Sequence, residues 1–489
     1  MSTPQQLAKR ESAFANGFQS AVETLLAEIR TLYRSDEIPW VVGYSGGKDS
    51  TATLQLVWLM LASLAPDQRH KRVYVISTDT LVENPVVASW VNHSLTQMRE
   101  AAQQSGLPIE PHRLTPEISN TFWVNLIGRG YPAPRPRFRW CTERLKINPS
   151  NHFISNVVRA NGEAIVVLGT RKAESWARSR VMERLENKQT RERLRANTNL
   201  SNSLIYSPIE DWTNDDVWLF LMQVPNCWGF DNKALLTMYQ GASADGECPL
   251  VVDTTTPSCG DSRFGCWTCT LVEKDKSMAA MIHNDEEKEW MLPLLEIRNA
   301  LDVADDRHLR DFRRMSGSVQ LFNGKPVPGP YTQQSRELWL RKLLQAQRYV
   351  HEHGPADVGN LELITLPELD EIRRIWVVEK HEIEDRLPLI YAEEVGAPFP
   401  GRQLDDTVPF GAGEMTLLRE IAGDDEIHYG LTRELLDIER RYSAMSRRAG
   451  LFTALETALR KGFFDDANDA TTRAEHHEAL RKPLARTKA

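Results

Sequence analysis

Residues 45–50 read Ser-Gly-Gly-Lys-Asp-Ser, between the apolar run 40–44 (Trp-Val-Val-Gly-Tyr) and the mostly apolar segment 51–60 (Thr-Ala-Thr-Leu-Gln-Leu-Val-Trp-Leu-Met). This order predicts a strand, a tight turn and a helix. Two glycines and small hydroxyl residues let backbone N–H groups of the turn converge on an anion, which the N-terminal end of the helix then stabilises. Lys48 adds a positive charge, so the stretch predicts a phosphate-binding loop.

A Walker A loop is the obvious alternative, but its pattern G-x-x-x-x-G-K-[ST] places a magnesium-binding hydroxyl directly after the lysine. Here Asp49 follows Lys48, which argues against that class. The string resembles instead the PP-loop of ATP pyrophosphatases, which cleave ATP between the α- and β-phosphates. The resemblance implies that ATP is bound by Ser45, Gly46, Gly47, Lys48, Asp49 and Ser50. Of these, Lys48 and Asp49 are also the predicted catalytic residues.

The apolar pattern predicts an α/β fold around the loop. Strand-like segments occur at 41–45, 72–78, 165–170 and 204–206, and they alternate with helical segments such as 85–104. Such alternation predicts a parallel, twisted sheet covered by helices on both faces. Ligands of these sheets bind beyond the carboxyl ends of the strands.

Two further motifs follow predicted strands. Residues 77–85 and the G-x-R-x-x-E-S-x-x-R string at 169–178 resemble the adenine-side loop and an arginine element of the PAPS-reductase branch of PP-loop proteins. The resemblance implies nucleotide contacts from Thr78, Asp79, Thr80, Gly169, Arg171 and Arg178. A third match, at 208–218, contains Thr213 and Asp216 at the spacing of a capping box, which predicts a helix start.

Four of the six cysteines lie within 22 residues: Cys248, Cys259, Cys266 and Cys269. In an intracellular chain, this density with a C-x-x-C pair favours a metal or cluster site over disulfides. The spacings fit no common zinc ribbon, whereas four thiolates with bulky apolar neighbours suit a [4Fe-4S] cluster. Zinc and a redox dithiol remain open alternatives.

The whole cysteine segment resembles that of the DndC family of bacterial DNA phosphorothioation, in which sulfur replaces a non-bridging oxygen of the DNA backbone. The resemblance implies ATP, Mg²⁺ and a [4Fe-4S] cluster as cofactors, and DNA as the substrate. It also implies a cysteine desulfurase as sulfur donor and partners of the DndD and DndE type. The single-strand SspD type is left open as the nearer relative.

Cys141 lies in the cationic string 139–144 (Arg-Trp-Cys-Thr-Glu-Arg), which predicts a stabilised thiolate. We therefore consider it a candidate catalytic sulfur relay, with a structural thiol as the alternative. The surrounding segment 128–146 holds six basic residues and interleaved aromatics, a mixture that suits nucleic acid. Contacts with ATP phosphates or with acidic residues elsewhere explain these arginines equally well.

Three other functions remain open: a PAPS or adenylyl-sulfate reductase, a tRNA thiolase, and a non-catalytic iron–sulfur scaffold. The PAPS and adenylyl-sulfate reductases use a nucleophilic cysteine close to the C-terminus. Residues 270–489 contain no cysteine, which argues against a PAPS or adenylyl-sulfate reductase.

Composition is that of an ordinary globular protein of several domains: 489 residues, 41% hydrophobic and 26% charged. A net charge of −8 argues against a general basic nucleic-acid surface. A polar N-terminus and the lack of any run of about 18 apolar residues predict a cytoplasmic protein without membrane contact. We expect an N-terminal helix (1–36), the PP-loop domain (37–225), the cysteine-rich segment (226–290) and a mainly helical C-terminal region (291–489), with a mobile connection at 317–333.

Overall fold

The protein is described by a computed structural model that covers residues 11–136, 138–174, 189–191, 193–242, 264–356, 358–402, 404, 412–443 and 445–485. The chain divides into two compact units. The first, here the sheet unit, comprises residues 1–116 and 139–295. The second, here the helical unit, comprises residues 117–138 and 296–489. The predicted domain limits did not anticipate that residues 117–138 join the C-terminal part of the chain.

The sheet unit is built on a seven-stranded sheet of order β3-β2-β1-β4-β7-β6-β5. Its strands are β1 (Trp40–Gly43), β2 (Val73–Thr78), β3 (Ile109–Leu114), β4 (Ala164–Val167), β5 (Gln189–Arg191), β6 (Leu194–Ala196) and β7 (Ser203–Tyr206). Strands β1 to β4 and β7 are parallel, and β6 and β5 extend the sheet as antiparallel strands beyond β7. The four predicted strands and the mostly parallel sheet are confirmed; β3 and the antiparallel edge were not predicted.

Helices cover this sheet. Those of the sheet unit are α1 (Phe18–Arg34), α2 (Lys48–Ala62), α3 (Pro85–Gln104), α4 (Asn148–Asn161), α5 (Asn214–Gln223), α6 (Asn232–Gly241) and α7 (Lys276–Asn284). The prediction for 85–104 is confirmed residue for residue, and so is the capping box that starts α5. The N-terminal helix expected within 1–36 begins only at Phe18 in the described residues, since Gly17 has φ 108°, outside helical geometry.

Both faces of the sheet are buried, which explains why its central strands are continuously apolar. Val42, Val75 and Val167 face the larger core with α1 and α2. Val41 and Val166 face a second core, which includes residues of α4. Because consecutive strand residues point to opposite faces, a strand covered on both sides needs an apolar residue at every position.

The helical unit confirms the prediction of a mainly helical C-terminal region. Its helices are α9 (Gln333–His353), α10 (Leu366–Arg374), α11 (Leu387–Val395), α12 (Ala412–Ala422), α13 (Glu426–Ser443), α14 (Leu451–Gly462) and α15 (Ala467–Ala485), and α8 (Leu292–Leu301) precedes them at the unit boundary. Helices α13 and α14 are separate, and Gly450 at φ 93° directly precedes the second. The connection predicted at 317–333 contains a hairpin of β8 (Leu321–Phe322) and β9 (Lys325–Pro326).

A membrane-spanning segment would need a long helix with few charges. No helix in the described part of the chain combines sufficient length with sufficient hydrophobicity to cross a bilayer.

Candidate functional site

The loop of residues 45–47 leaves β1 at its carboxyl end, and α2 begins immediately afterwards at Lys48. The hydroxyl Oγ of Ser50 accepts a hydrogen bond from the Ser45 amide at 3.2 Å and donates one to the Gly47 carbonyl at 2.9 Å. Gly46 has φ 74°, and a Cβ there would lie 2.5 Å from a methyl carbon of Val91. The loop therefore requires glycine at position 46, and its shape is set by its own hydrogen bonds.

A cavity of about 1000 Å³ opens beside the loop, at the carboxyl ends of the central strands. Most of the residues predicted to bind nucleotide line it: Ser45, Gly47, Lys48, Asp49, Ser50, Thr78, Asp79, Gly169 and Arg171. Gly46 and Thr80 do not line it, and Arg178 lies outside the described residues. Lining residues that the sequence did not indicate include Arg113, Lys146, Asn197, Asn199 and Tyr239. The cavity lies where ligands of open α/β sheets bind.

Three charged side chains from two parts of the chain meet in this cavity. Nε of Arg171 lies 2.5 Å from Oδ1 of Asp49, and Nζ of Lys48 lies 3.4 Å from the other carboxylate oxygen. Burial lowers the pKa of Lys48, the Asp49 carboxylate raises it, and Arg171 lowers it further. The arrangement leaves one net positive charge next to the loop amides, which suits a polyanionic ligand.

Tyr239 of α6 stands at the start of α2. Its hydroxyl accepts the Lys48 backbone N–H at 3.4 Å, and its ring centre lies 5.3 Å from Nζ of the same lysine. A Cβ at Gly47 would lie 3.1 Å from this hydroxyl. Burial raises the pKa of Tyr239, so the phenol stays protonated. No local pattern in the sequence indicates this contact, because 191 residues separate Lys48 from Tyr239.

Asp79, at the end of β2, forms an ion pair with Arg113 of β3. Its other oxygen accepts the backbone N–H of Leu81 at 2.8 Å, which holds the loop after β2. Arg113 was missed because residues 109–114 (Ile-Glu-Pro-His-Arg-Leu) contain three polar side chains and a proline, which do not indicate a buried strand.

Cys266 and Cys269 occupy one turn, in which the Cys269 amide donates to the Cys266 carbonyl at 3.0 Å. The Cys266 sulfur lies 3.3 Å from Oγ1 of Thr80 and 3.7 Å from Oε1 of Glu83. Thr80, predicted to contact nucleotide, is therefore placed against a cysteine. Burial raises the pKa of Cys266 to about 12.

Lys146 connects this cysteine turn with the cavity. It lines the cavity, and its Nζ lies 3.2 Å from Oε1 of Glu83. Although burial acts to lower its pKa, the neighbouring Cys266 and Glu83 raise it. A fixed ammonium beside two thiols is the environment that an anionic metal–thiolate group would need.

Cys141 is partly buried and belongs to the sheet unit, as Cys266 and Cys269 do. The prediction that nearby arginines stabilise its thiolate is wrong for this structure, because burial raises the pKa of Cys141. Cys248 and Cys259 lie outside the described residues. Within the described part, no three His, Cys, Asp or Glu side chains converge as a metal-ion site.

The basic segment 128–146 is used largely inside the protein. Arg129 donates to the Ser119 carbonyl at 2.5 Å, and Arg135 donates to the Val303 carbonyl at 2.6 Å. Arg135 also lies 3.7 Å from Asp302. Of the two explanations left open, internal contacts therefore account for these two arginines.

Comparison with known families agrees with this geometry. Residues 39–271 match the family model of the phosphoadenosine phosphosulfate reductase domain. The chain thus contains a PAPS reductase-like, nucleotide-binding domain with a PP-loop.

Similar proteins include the uncharacterised protein MJ0066 of Methanocaldococcus jannaschii, 28% identical over 195 residues, which are 40% of this chain. The chain spans about a third (34%) of the length of that relative. Among solved structures, an FMN adenylyltransferase of Candida glabrata with FAD and pyrophosphate has 12% identity and a TM-score of 0.27, over 50% of this chain and 68% of that one. The U34-tRNA thiolase NcsA of Methanococcus maripaludis, with its [4Fe-4S] cluster, has 11% identity and a TM-score of 0.25. This match covers 58% of this chain and 82% of the thiolase chain.

Proposed function

We propose that this protein is an ATP pyrophosphatase of the DndC type, which acts in the cytoplasm and converts ATP to AMP and pyrophosphate to activate a DNA phosphate oxygen for replacement by sulfur. The observation that carries the nucleotide part is the cavity in which the PP-loop amides, Lys48 and Arg171 face one space. A cavity of about 1000 Å³ accommodates a nucleoside triphosphate, which is a ligand of ordinary pocket size.

The reaction follows from the charges around the loop. The β- and γ-phosphates lie against the α2 N-terminus, where the loop amides and Lys48 stabilise negative charge. A non-bridging DNA oxygen attacks the α-phosphorus, the bond between that phosphorus and the α,β-bridging oxygen breaks, and pyrophosphate leaves with the electron pair. Mg²⁺ would be held by the phosphates together with Asp49 or Asp79, and it would offset the phosphate charge.

The second half of the reaction needs a sulfur nucleophile. A persulfide derived from a cysteine desulfurase attacks the adenylated DNA phosphorus, and AMP leaves with the former DNA oxygen. A two-electron reduction by a thiol then releases the sulfur as the phosphorothioate and leaves a disulfide. We propose Cys141 as the residue that relays the sulfur, a role that its basic neighbours within residues 139–144 indicate.

The predicted ligands Cys266 and Cys269 fit a [4Fe-4S] cluster, because one turn holds both and Lys146 supplies a compensating positive charge. Cys248 and Cys259 would complete the ligand set. When bound, the cluster would supply a sulfide or an electron-transfer centre next to the nucleotide cavity. DndD- and DndE-type proteins are the proposed partners in delivering DNA.

The first test compares wild type with Lys48→Ala, using Lys233→Ala on the exposed surface of α6 as the control. α-Labelled ATP is incubated with DNA, and AMP and pyrophosphate are quantified. We expect Lys48→Ala to lose about 10²-fold or more in rate, and the control to retain it. Equal rates for all three proteins would contradict the assignment.

The DNA step is tested by mass spectrometry of nuclease-digested DNA from cells that carry the intact modification operon. Phosphorothioate dinucleotides should be present with wild type and absent with Lys48→Ala. If sulfite formation from PAPS depends on Lys48 instead, the protein is a sulfonucleotide reductase, the second candidate that the domain match over 39–271 favours.

A further inference from the structure

The hairpin of β8 and β9 presents an aromatic and a cationic side chain together at the surface of the helical unit. Phe322 and Lys325 are direct cross-strand partners on either side of a two-residue turn. Directly opposed residues of an antiparallel pair project to the same face of a hairpin, with Cβ atoms about 5 Å apart. Phe322 is 71% exposed, and Lys325 is also exposed. The opposite face carries Leu321 and Pro326, which are partly buried.

The hairpin tip has a defined shape. Asn323 and Gly324 have φ values of 51° and 71°, the left-handed geometry of the turn that suits the twist of a two-residue hairpin. Asparagine and glycine are the residues that this geometry favours. The side chains at the tip are thus presented by a preorganised backbone, which reduces the entropic cost of binding.

The base of the hairpin is anchored by arginines. Arg310 donates to the carbonyls of Pro328 and Gly329 at 2.6 and 2.7 Å, and Arg314 donates to Pro328 at 3.1 Å. The amide of Val327 donates to the Gln320 carbonyl at 2.7 Å. These contacts fix the two strands to the segment before them, although the sequence predicted a mobile connection here.

The hairpin carries positive charge in a chain of net charge −8. Residues 312–335 contain Arg313, Arg314 and Lys325 and no aspartate or glutamate, although Arg313 forms an ion pair with the preceding Asp311, in which the two side chains lie 2.8 Å apart. Met315 in the same segment is 54% exposed. An exposed aromatic ring beside a lysine, in a segment free of acids, combines the stacking platform and the phosphate contact by which proteins hold nucleic acids.

We propose that this hairpin is a nucleic-acid contact in which the Phe322 ring stacks on a base and Lys325 contacts the adjoining phosphate. The choice of DNA as the nucleic acid rests on the proposed function; the stacking and charge geometry does not.

The test measures binding of the full-length protein to a short fluorescent DNA duplex, to its single strand and to the matching RNA, by anisotropy at several salt concentrations. The variants are Phe322→Ala and Lys325→Gln. Phe452→Ala is the matched control, because this phenylalanine of α14 is 84% exposed and lies outside the hairpin. Release of pyrophosphate from ATP in the presence of DNA is measured in parallel.

We expect Phe322→Ala to weaken binding about fivefold or more, since stacking on one base contributes about 1–3 kcal/mol. Lys325→Gln should reduce the slope of log affinity against log salt by about one. Phe452→Ala should bind as wild type does. Affinity for every probe within about twofold of wild type in both hairpin variants would overturn the proposal. Loss of a co-purifying protein with unchanged nucleic-acid affinity would also overturn it, in favour of protein docking.

The parallel assay separates the two proposals. If wild type releases no pyrophosphate with DNA present but nucleic-acid binding depends on Phe322, the hairpin proposal holds and the pyrophosphatase proposal fails. Preference for RNA over DNA in wild type, lost in Phe322→Ala, supports the hairpin and contradicts the DNA substrate.

Discussion

Nε of Arg171 lies 2.5 Å from Oδ1 of Asp49, although 122 residues separate them along the chain. The Arg171 side chain is 4% exposed and the Asp49 side chain 23%. The pair joins the loop after β4 to the first turn of α2, and it holds the carboxylate that contacts Lys48. The charge of the phosphate-binding loop is therefore set from outside the loop.

Removal of either partner of this pair should destabilise the protein. Arg171→Gln and Asp49→Asn each break this ion pair while the remaining charge stays largely buried, which we expect to reduce the free energy of unfolding by about 2–4 kcal/mol. The double variant should lose less than the sum. Urea unfolding of wild type, both single variants and the double variant measures these free energies. Additive losses of unfolding free energy would show that the two residues are not coupled.

Gly169→Ala should disrupt the nucleotide cavity. A Cβ at this position would lie 2.7 Å from the Asp49 carbonyl oxygen and 2.9 Å from Oγ1 of Thr53. Neither group can move without shifting α2, so we expect ATP affinity to fall about tenfold or more. Gly241→Ala at the end of α6 is the control, because a Cβ there meets nothing within 4 Å. Calorimetric titration of wild type and both variants with a non-hydrolysable ATP analogue measures these affinities. Equal affinities of Gly169→Ala and wild type would contradict the packing described.

Cys259→Ala should remove the cluster proposed for the cysteine segment. If Cys259 is a ligand, the purified variant should lose its brown absorbance and most of its iron and sulfide. Cys227→Ala is the control, since this half-buried thiol, whose pKa burial raises to about 12, is assigned no ligand role. An unchanged visible spectrum and iron content in Cys259→Ala would exclude it as a ligand.

Stability of the helical unit should rise with pH above about 8. Burial lowers the pKa of Lys380 to about 8, Arg336 lowers it too, and Glu382, Asp311 and Glu379 oppose the shift. Between pH 8 and the ordinary lysine pKa of 10.5, the folded state loses this proton while the unfolded state keeps it. The free energy of unfolding therefore increases through this range, by at most about 3 kcal/mol.

Lys380→Met has no such proton to lose, so its unfolding free energy should not gain this increment. Chemical denaturation of both proteins from about pH 7.5 to 10 tests this prediction. The difference between their unfolding free energies is plotted against pH, in steps of about 0.5 pH unit, which resolve a single titration. Parallel pH profiles would show that Lys380 is hydrated in the folded protein.

Local features were predictable because neighbouring residues determine them. The turn after β1 depends on glycines within the loop, α3 has a capping asparagine and a proline at its start, and α5 begins with a capping box. The central strands are recognisable because both faces are buried. Most of the residues predicted to bind nucleotide also line the cavity, since the carboxyl ends of parallel strands meet at one edge.

Contacts between distant segments were not predictable. Strand β3 forms where its ladder partner β2 lies, despite a polar and proline-containing sequence. Two further contacts depend on how separate elements pack. The Tyr239 hydroxyl lies at the start of α2, and Thr80 lies against Cys266. The cationic string around Cys141 predicted a thiolate, yet burial raises the pKa of this thiol, and burial is defined only by the folded chain.

The sequence by itself thus determined the phosphate-binding loop, the parallel sheet around it and the helical character of the C-terminal region, because turn, capping and periodicity are encoded by residues close in the chain. The tertiary structure alone decided which charges face the loop, which thiols are neighbours and that residues 317–333 form an anchored hairpin. These depend on desolvation and on contacts between segments far apart in sequence, where the free energy of a side chain is set by its surroundings.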